Sequence, residues 1–388
     1  MIRYCKSCLY PDTKPDLKFD KKGICNACIN FNCRSQIDWD KRYQELLIIT
    51  EKYKNTSGNN WDCIVPGSGG KDSTVQALRA RKIGLNPLIV TSTTCDLSDI
   101  GQRNIKNIKN LGFDYLEMSP SKLIRQKLNK IGLTQVGDIS WPEHVGIFTI
   151  PIKIAVQLNI KLILWGENSQ NEYGGPAADC DNNILTRSWL EEFGGLLGLR
   201  VSDLVGLDGI SVKDLIPYTY PDDQELSSVG VTGLFLGYYM PWDGYENALF
   251  AQAYGFETSA VHTEASFVNY ENLDNYQTGI HDYFKFLKFG FSRSTDIANL
   301  HIRRGRMSRE DAFEIVRKTD GKFPWCYLGK NLVQILKQID LTIDGFINIC
   351  DQFTNKSLFK TDGKGDLIKD KDGNITKINY DNTIKCVS

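Results

Sequence analysis

Apolar and polar positions along the chain follow two rhythms. Between Trp61 and Met118, short apolar runs alternate with stretches of helical period: Asp62–Val65, a helix from Asp72 to Ile83, Pro87–Thr91, a helix from Ser98 to Leu111, then Asp114–Met118. A hairpin turn cannot connect parallel neighbours, so strands separated by helices of this length predict parallel pairing through right-handed crossovers. A further helix around Ile147–Leu158 leads into the apolar run Lys161–Glu167, and another buried run spans Gly233–Tyr239. An α/β fold with an open parallel sheet of about five strands is expected.

Outside that core the pattern changes. Residues 35–54 read as a helix, with Ile37, Tyr43, Leu46, Leu47 and Tyr53 near the 3.6 period, and the polar run Asn55–Asn60 ends it. Over 168–230, Gly, Asp, Asn and Pro interrupt every apolar run, which reads as an insertion beside the sheet. Helices recur from Gly279 to about Phe353, with Ser308-Arg309-Glu310-Asp311 as a start signal and Leu332, Val333, Ile335, Leu336 and Ile339 as a buried stripe. The expected organisation is a cysteine-rich module at 1–34 and a linking helix at 35–60. An α/β domain at 61–278 follows, then a helical region at 279–355 and a polar hairpin or loose tail at 356–388.

Composition narrows the function. The 388 residues carry 46 Lys and Arg against 47 Asp and Glu, a formal charge of -1, which disfavours wholesale nucleic-acid binding. At 41% hydrophobic the chain can build its own core. Neither a signal-peptide stretch at the start nor a membrane-length apolar run is present, so a cytoplasmic protein with no membrane association is expected. In that reducing compartment the eleven cysteines are expected to be thiols or metal ligands. Cys5-x-x-Cys8 and Cys25-x-x-Cys28 have the spacing of a zinc ribbon, with four thiolates closing a tetrahedral Zn²⁺ site that stabilises and does not catalyse. Cys33 is an alternate ligand or a bystander.

The most informative segment is Pro66-Gly67-Ser68-Gly69-Gly70-Lys71-Asp72-Ser73-Thr74, directly between a buried strand and a helix. Glycines let backbone approach an oxyanion, successive N–H groups form a donor nest, and the helix N-terminus adds a favourable dipole. A Walker A loop is excluded, because Asp72 stands where Ser or Thr should follow the lysine and Val65 occupies the first glycine's position. The dinucleotide fingerprint fails on the spacing of Gly67, Gly69 and Gly70. Two softer candidates end later strands on the same sheet edge. Thr91-Ser92-Thr93 could face a nucleoside or merely cap a loop. In Gly166-Glu167-Asn168, Glu167 is either a group orienting substrate or Mg²⁺, or a salt-bridged surface residue.

The segment Ser68-Gly69-Gly70-Lys71-Asp72-Ser73 resembles the signature loop of the PP-loop ATP pyrophosphatases, and it follows the first strand as in that family. The resemblance implies ATP binding by the loop Gly67 to Ser73, and Thr91, Ser92 and Gly166 join the expected nucleotide-binding set from their place on the same sheet edge. It implies cleavage between the α and β phosphates, with Asp72 helping to hold Mg²⁺ and Lys71 adding positive charge. With Glu167, these form the expected catalytic set. The paired Cys motifs with Pro11-Asp12-Thr13, the stretch Leu164–Asn168 and Leu236-Gly237-Tyr238-Tyr239 narrow the likeness to the N-acetyl sugar amidotransferases of bacterial surface-glycan biosynthesis, up to about residue 350. That family is implied to adenylate the acetamido oxygen of a sugar and replace it with ammonia, giving an acetamidino sugar. The ammonia is implied to come from a separate glutaminase resembling the histidine-biosynthesis pair, for which this chain shows no Cys–His–Glu constellation of its own.

Two rivals are weighed against this reading. A tRNA-thiolating PP-loop enzyme is implied to need further paired cysteines, whereas Cys63, Cys95, Cys180, Cys326, Cys350 and Cys386 are isolated. A non-catalytic zinc-ribbon scaffold sits poorly with an intact loop. His144, His262, His281 and His301 show no ligand spacing and receive no role. Arg103 is a solvated helix residue or a phosphate contact. Lys288, Arg293, Arg303 and Arg304 form a basic cluster suited to a nucleotide diphosphate or sugar carboxylate, although a charged helix face is the simpler account.

Overall fold

The computed structural model describes residues 2–56, 58, 60–167, 172–174, 184–185 and 197–378. Its centre is a sheet of five parallel strands: β1 (Cys63–Pro66), β2 (Pro87–Ser92), β3 (Asp114–Met118), β4 (Leu162–Trp165) and β6 (Thr232–Phe235). They lie in the order β3-β2-β1-β4-β6, with the two-residue β5 (Ile184–Leu185) pairing antiparallel on the outer edge of β6. The expected sheet is therefore present, with that short edge strand added. Period-two alternation sorts the strand side chains onto two faces. Val65, Ile89, Leu162, Leu164 and Leu234 pack on one side with α2 (Trp39–Glu51) and α3 (Lys71–Lys82). Ile64, Leu88, Val90, Ile163 and Phe235 pack on the other with α6 (Trp141–Gln157). The order reverses between β1 and β4, the switch point where open α/β sheets leave a crevice at the carboxyl ends of their strands.

Several elements differ from the sequence expectation. The stretch 35–54 is not one helix: Asn26–Cys33 forms α1, Arg34–Gln36 a single 3-10 turn, and α2 starts at Trp39, where the Asp38 carboxylate accepts from the Lys41 N–H at 2.9 Å. That cap breaks the run because it satisfies an N–H that a continuous helix would bond to its own backbone. Beyond α4 (Asp99–Asn110), an unanticipated α5 (Lys122–Val136) contains Gly132, where a Cβ would collide with Trp141, so the glycine marks close approach of α5 to α6. Helix α6 begins at Trp141, six residues before its expected start, with Pro142 in its first turn. Leu236–Tyr239 is a helical turn and not a continuation of the strand, and Gly244–Ala253 is a further helix. In the expected stripe, Leu332, Ile335, Leu336 and Ile339 are buried while Val333 is exposed.

The helices Thr278–Phe289, Arg293–Arg303, Arg309–Thr319, Leu332–Lys337 and Ile343–Phe353 form the expected helical region. The last of these is followed by antiparallel bridges Phe359–Lys377, Thr361–Leu367 and Lys369–Ile375, and the expected tail beyond 378 lies outside the described residues. The cysteine-rich module does not stand apart. Leu9 N–H donates to Asn299 at 2.7 Å, Tyr10 O–H donates to Asp296 at 2.9 Å, and Tyr10 packs edge-on against Phe291. Among the described residues no helix is long and apolar enough to cross a membrane.

Candidate active site

The loop after β1 is shaped by local sequence. Gly69 has φ +87°, and a Cβ there would meet the Ile105 backbone at 2.8 Å, so the close approach of α4 and the left-handed backbone both require glycine. Gly67 sits where a Cβ would strike Ile89. Tyr115 O–H pins the loop by donating to the Gly67 carbonyl at 3.0 Å, and the Ser73 and Thr74 hydroxyls both donate to the Gly70 carbonyl at 3.0 Å. Helix α3 then starts at Lys71, directing its free N–H groups back toward the crevice.

Residues Gly67 to Ser73 line a cavity of about 320 Å³ with Thr91 and Ser92 at the end of β2, so the structure brings these sequence candidates together. Lys71 is buried there between Asp72 at 2.7 Å and Glu271 at 2.8 Å. Burial opposes its charge, but the two carboxylates outweigh that and hold its ammonium well above the usual lysine range. Asp72 also accepts from the Asn247 amide at 2.8 Å, which orients it at the mouth. Glu271, Asp274 and Glu143 complete an acidic lining that sequence reasoning missed. Burial raises Asp274, against which the Ser68 hydroxyl and Lys71 act in the opposite direction. Burial likewise raises Glu143, which accepts from Cys95 N–H at 3.2 Å and the Asn129 amide at 2.8 Å.

This lining suits a magnesium nucleotide. Carboxyl groups outnumber the one ammonium in this lining, so a divalent cation beside a polyphosphate would offset its charge, and hard oxygen donors such as Asp72 are what Mg²⁺ selects. Two buried polar atoms in the same lining, Trp165 Nε1 and Thr94 Oγ1, have no hydrogen-bond partner among the described residues and are open to a ligand or water. Phe256, Ile147 and Pro151 supply apolar wall. The segment 270–274 was invisible to motif reading because it shares no spacing with the loop, and Trp165, although inside the stretch Leu164–Asn168, was given no role.

Other sequence candidates are distributed differently. Gly166 does not line this cavity; a Cβ there would strike Gln76 and Trp242, so it permits packing behind the loop. Glu167 lines a second cavity of about 470 Å³, yet its carboxyl is pushed up to about 8, first by burial and then by Asp72 and Glu172. It therefore lines the second cavity while feeling the charges of Asp72, Lys71 and Glu271 in the first. Arg103 is exposed and pairs with Glu257 at 2.7 Å. The expected basic cluster divides: Lys288 and Arg293 line the second cavity, whereas Arg303 donates to the Glu172 carbonyl and Arg304 bonds Glu172 at 3.0 Å and Asp243 at 2.8 Å. His144 and His281, given no role from sequence, both bond Asp138, and Asn168 lies outside the described residues.

The four N-terminal cysteines converge, buried, with their sulfurs all within 4.8 Å of one another. Cys8 and Cys25 sulfurs lie 3.7 Å apart, and tetrahedral thiolates about 2.3 Å from zinc would be about 3.8 Å apart. N–H groups of Ser7 and Cys25 donate to Cys5 sulfur at 3.4 and 3.2 Å, as thiolates require. Arg309 donates to the carbonyls of Cys8 and Cys5, tying both turns of the first knuckle to the helical region. Cys33 is exposed and outside the cluster. The donor set fits a closed Zn²⁺ site.

Comparison with known proteins adds the following. The family model described as LPS biosynthesis protein WbpG-like, C-terminal domain, matches residues 264–371. No curated protein sequence matches the chain. Among solved structures, a predicted subunit of tRNA methyltransferase from Methanocaldococcus jannaschii is similar at 14% identity and a TM-score of 0.26, over 63% of this chain and 89% of that one.

Proposed function

We propose, from the match of residues 264–371 to the WbpG-like C-terminal domain, that this chain is an ATP-dependent sugar amidotransferase. In this reading it adenylates the acetamido oxygen of an N-acetylated sugar and replaces that oxygen with ammonia from a partner glutaminase, in surface-glycan biosynthesis. The observation that carries the ATP half is the loop Gly67–Ser73 at the sheet's switch point, lining a cavity with Lys71 held between Asp72 and Glu271.

The chemistry divides between the two cavities. Mg²⁺ held by Asp72 would offset charge on the departing pyrophosphate. Lys71 and the N–H groups of the loop and of the first turn of α3 hold the β and γ phosphates. The acetamido oxygen attacks the α phosphorus and pyrophosphate leaves with the bridging oxygen's electron pair. Ammonia then donates its lone pair to the activated carbon, one N–H proton passes to the Glu167 carboxylate, and AMP departs with the C–O pair. With its carboxyl pushed up to about 8, Glu167 is mostly protonated near neutral pH, so the ionised minority accepts this proton, and its share rises as pH approaches about 8. A structural zinc in the Cys5, Cys8, Cys25 and Cys28 site takes no part in these steps.

The test is incubation of the purified chain with ATP, Mg²⁺ and high ammonium, offering acetamido sugars (free and nucleotide-linked) and unmodified tRNA in separate reactions. A sugar product with one oxygen replaced by NH, matched by AMP, is expected. AMP release with tRNA alone would overturn the reading in favour of RNA modification.

A further inference from the structure

The second cavity has a composition of its own. It is walled by segments far apart in sequence: Lys14 from the cysteine-rich module, Asp138 and His144 at the start of α6, Glu167 after β4, and His281, Lys288 and Arg293 from the helical region. Two adjacent pairs form its partition from the ATP cavity. Glu143 lines the first cavity while His144 lines the second. Asn272 lines the first, and with its amide oxygen turned inward it accepts from both Nη2 and Nε of Arg293, which lines the second, at 2.9 Å. The linings of the two cavities are therefore in contact through the Asn272–Arg293 pair.

Charge pairing shows what that ligand carries. Arg293 is neutralised by Asp282 at 3.1 Å and Lys285 by Asp296. Lys14 and Lys288 have no carboxylate in salt-bridge contact among the described residues. Lys14 donates to the Gly174 and Pro15 carbonyls at 3.2 and 3.4 Å, and Lys288 donates to the Val136 carbonyl at 2.6 Å. Each rests against a ring, Tyr10 and Phe353 respectively. Burial lowers both ammoniums, Lys14 to about 8, and outweighs the opposing pull of Asp296 and Asp16 on Lys14 and of Asp138 on Lys288. In the same cavity, Asp138 accepts from His281 Nδ1 at 2.7 Å and lies 3.1 Å from His144 Nδ1. That arrangement fixes both rings and leaves the Nε2 atoms, which have no partner among the described residues, for hydrogen bonds to a polyol. Phe289 supplies an apolar face for a pyranose ring.

We propose that this second cavity is the acceptor site and takes the acetamido sugar as an anion, its phosphate or carboxylate gripped by Lys14 and Lys288 and its hydroxyls by His144 and His281. This rests on the proposed function for the identity of the reaction, but not for the binding itself. The test is calorimetric titration of the full chain with N-acetylneuraminic acid (a carboxylate), UDP-N-acetylglucosamine (a diphosphate) and neutral N-acetylglucosamine, each with and without saturating magnesium ATP analogue. One of the anionic probes is expected to bind at least about ten-fold tighter than the neutral sugar, about 1.4 kcal/mol, and which one does so identifies the anion. Lys288→Met and Lys14→Met are each expected to weaken it about ten-fold, while ATP affinity on the same preparations stays within about two-fold and so reports an intact fold. Failure of both anionic probes to bind, equal affinity for the neutral sugar, unchanged affinity in both variants, or displacement of the probe by the ATP analogue would each overturn the site. The two readings separate cleanly. Lysine-dependent binding of a sugar that yields no AMP refutes the amidotransferase and leaves the site standing; sugar-dependent AMP formation with an unchanged KM in both variants does the reverse.

Discussion

The two cavities of this chain are built in opposite ways. The ATP cavity is organised by one continuous segment, β1, the loop and the start of α3, and distant residues such as Glu271 merely complete it. The second cavity has no such organising segment: Lys14, Asp138, and the pair His281 and Lys288 on one helix come from three separate places and meet only because the cysteine-rich module, the start of α6 and the C-terminal helices pack together. Continuous construction makes a site tolerant of distant damage, because strand, turn and helix N-terminus hold one another. Discontinuous construction makes it depend on every interface that brings its walls together.

The largest expected effect separates the two at the ATP side. Asp72→Ala should lower AMP formation by about 10²–10³-fold or more, as loss of a group supporting charge in the transition state does, while leaving binding of the anionic sugar probe unchanged. Retained AMP formation would remove Asp72 from the reaction. Next, Glu167→Gln should cost about 10²-fold in kcat with little change in either binding constant, since Glu167 belongs to neither grip. The same variant has a stability signature. A carboxyl whose folded pKa is raised to about 8 binds more protons folded than unfolded, so its contribution is greatest below the ordinary glutamate range near 4.5 and is lost as pH rises toward about 8. Glu167→Gln should therefore stabilise the ligand-free chain at pH 9 by a few kcal/mol and have no such effect at pH 4, measured by denaturant titration.

Disrupting the cysteine cluster tests the dependence of the second cavity. Cys5→Ser should lower zinc content and Tm, and weaken the sugar probe several-fold through Lys14, while ATP affinity per folded molecule stays within about two-fold. Equal loss at both cavities would show that the module supports the whole fold and not one wall. The smallest effect is expected for Arg103→Ala: the exposed pair with Glu257 should leave ATP affinity and Tm unchanged, and a weakened ATP affinity would return Arg103 to the phosphate site.

Legibility in the sequence follows the same division. The strands through β4, the helices α3 and α4, the loop and the cysteine cluster were all readable, because each is specified by residues close together in the chain. Boundaries failed where a local competitor intervened, as at Asp38, whose side chain starts α2 afresh, and at Leu236, where the expected strand turns into a helix. The histidines show the limit most clearly. His144 and His281 carry no ligand spacing, yet one carboxylate, Asp138, holds both. Lys288 and Arg303 read as one basic cluster because they share a region of sequence, but one faces the second cavity and the other donates to Glu172.

By itself, then, the sequence determined the parallel α/β core, the glycine-rich loop at the helix N-terminus and the four-thiolate module. Apolar period, the left-handed backbone that Gly69 supplies and the Cys-x-x-Cys spacing act over a few residues and need no distant partner. Only the tertiary structure decided which carboxylates surround Lys71, that Lys14 and Lys288 make no salt bridge among the described residues, and that Glu167, in the second cavity, feels the charges of the first. Those are consequences of desolvation and Coulomb interaction between groups far apart along the chain, and such energies exist only once packing has brought the groups together and excluded water from between them.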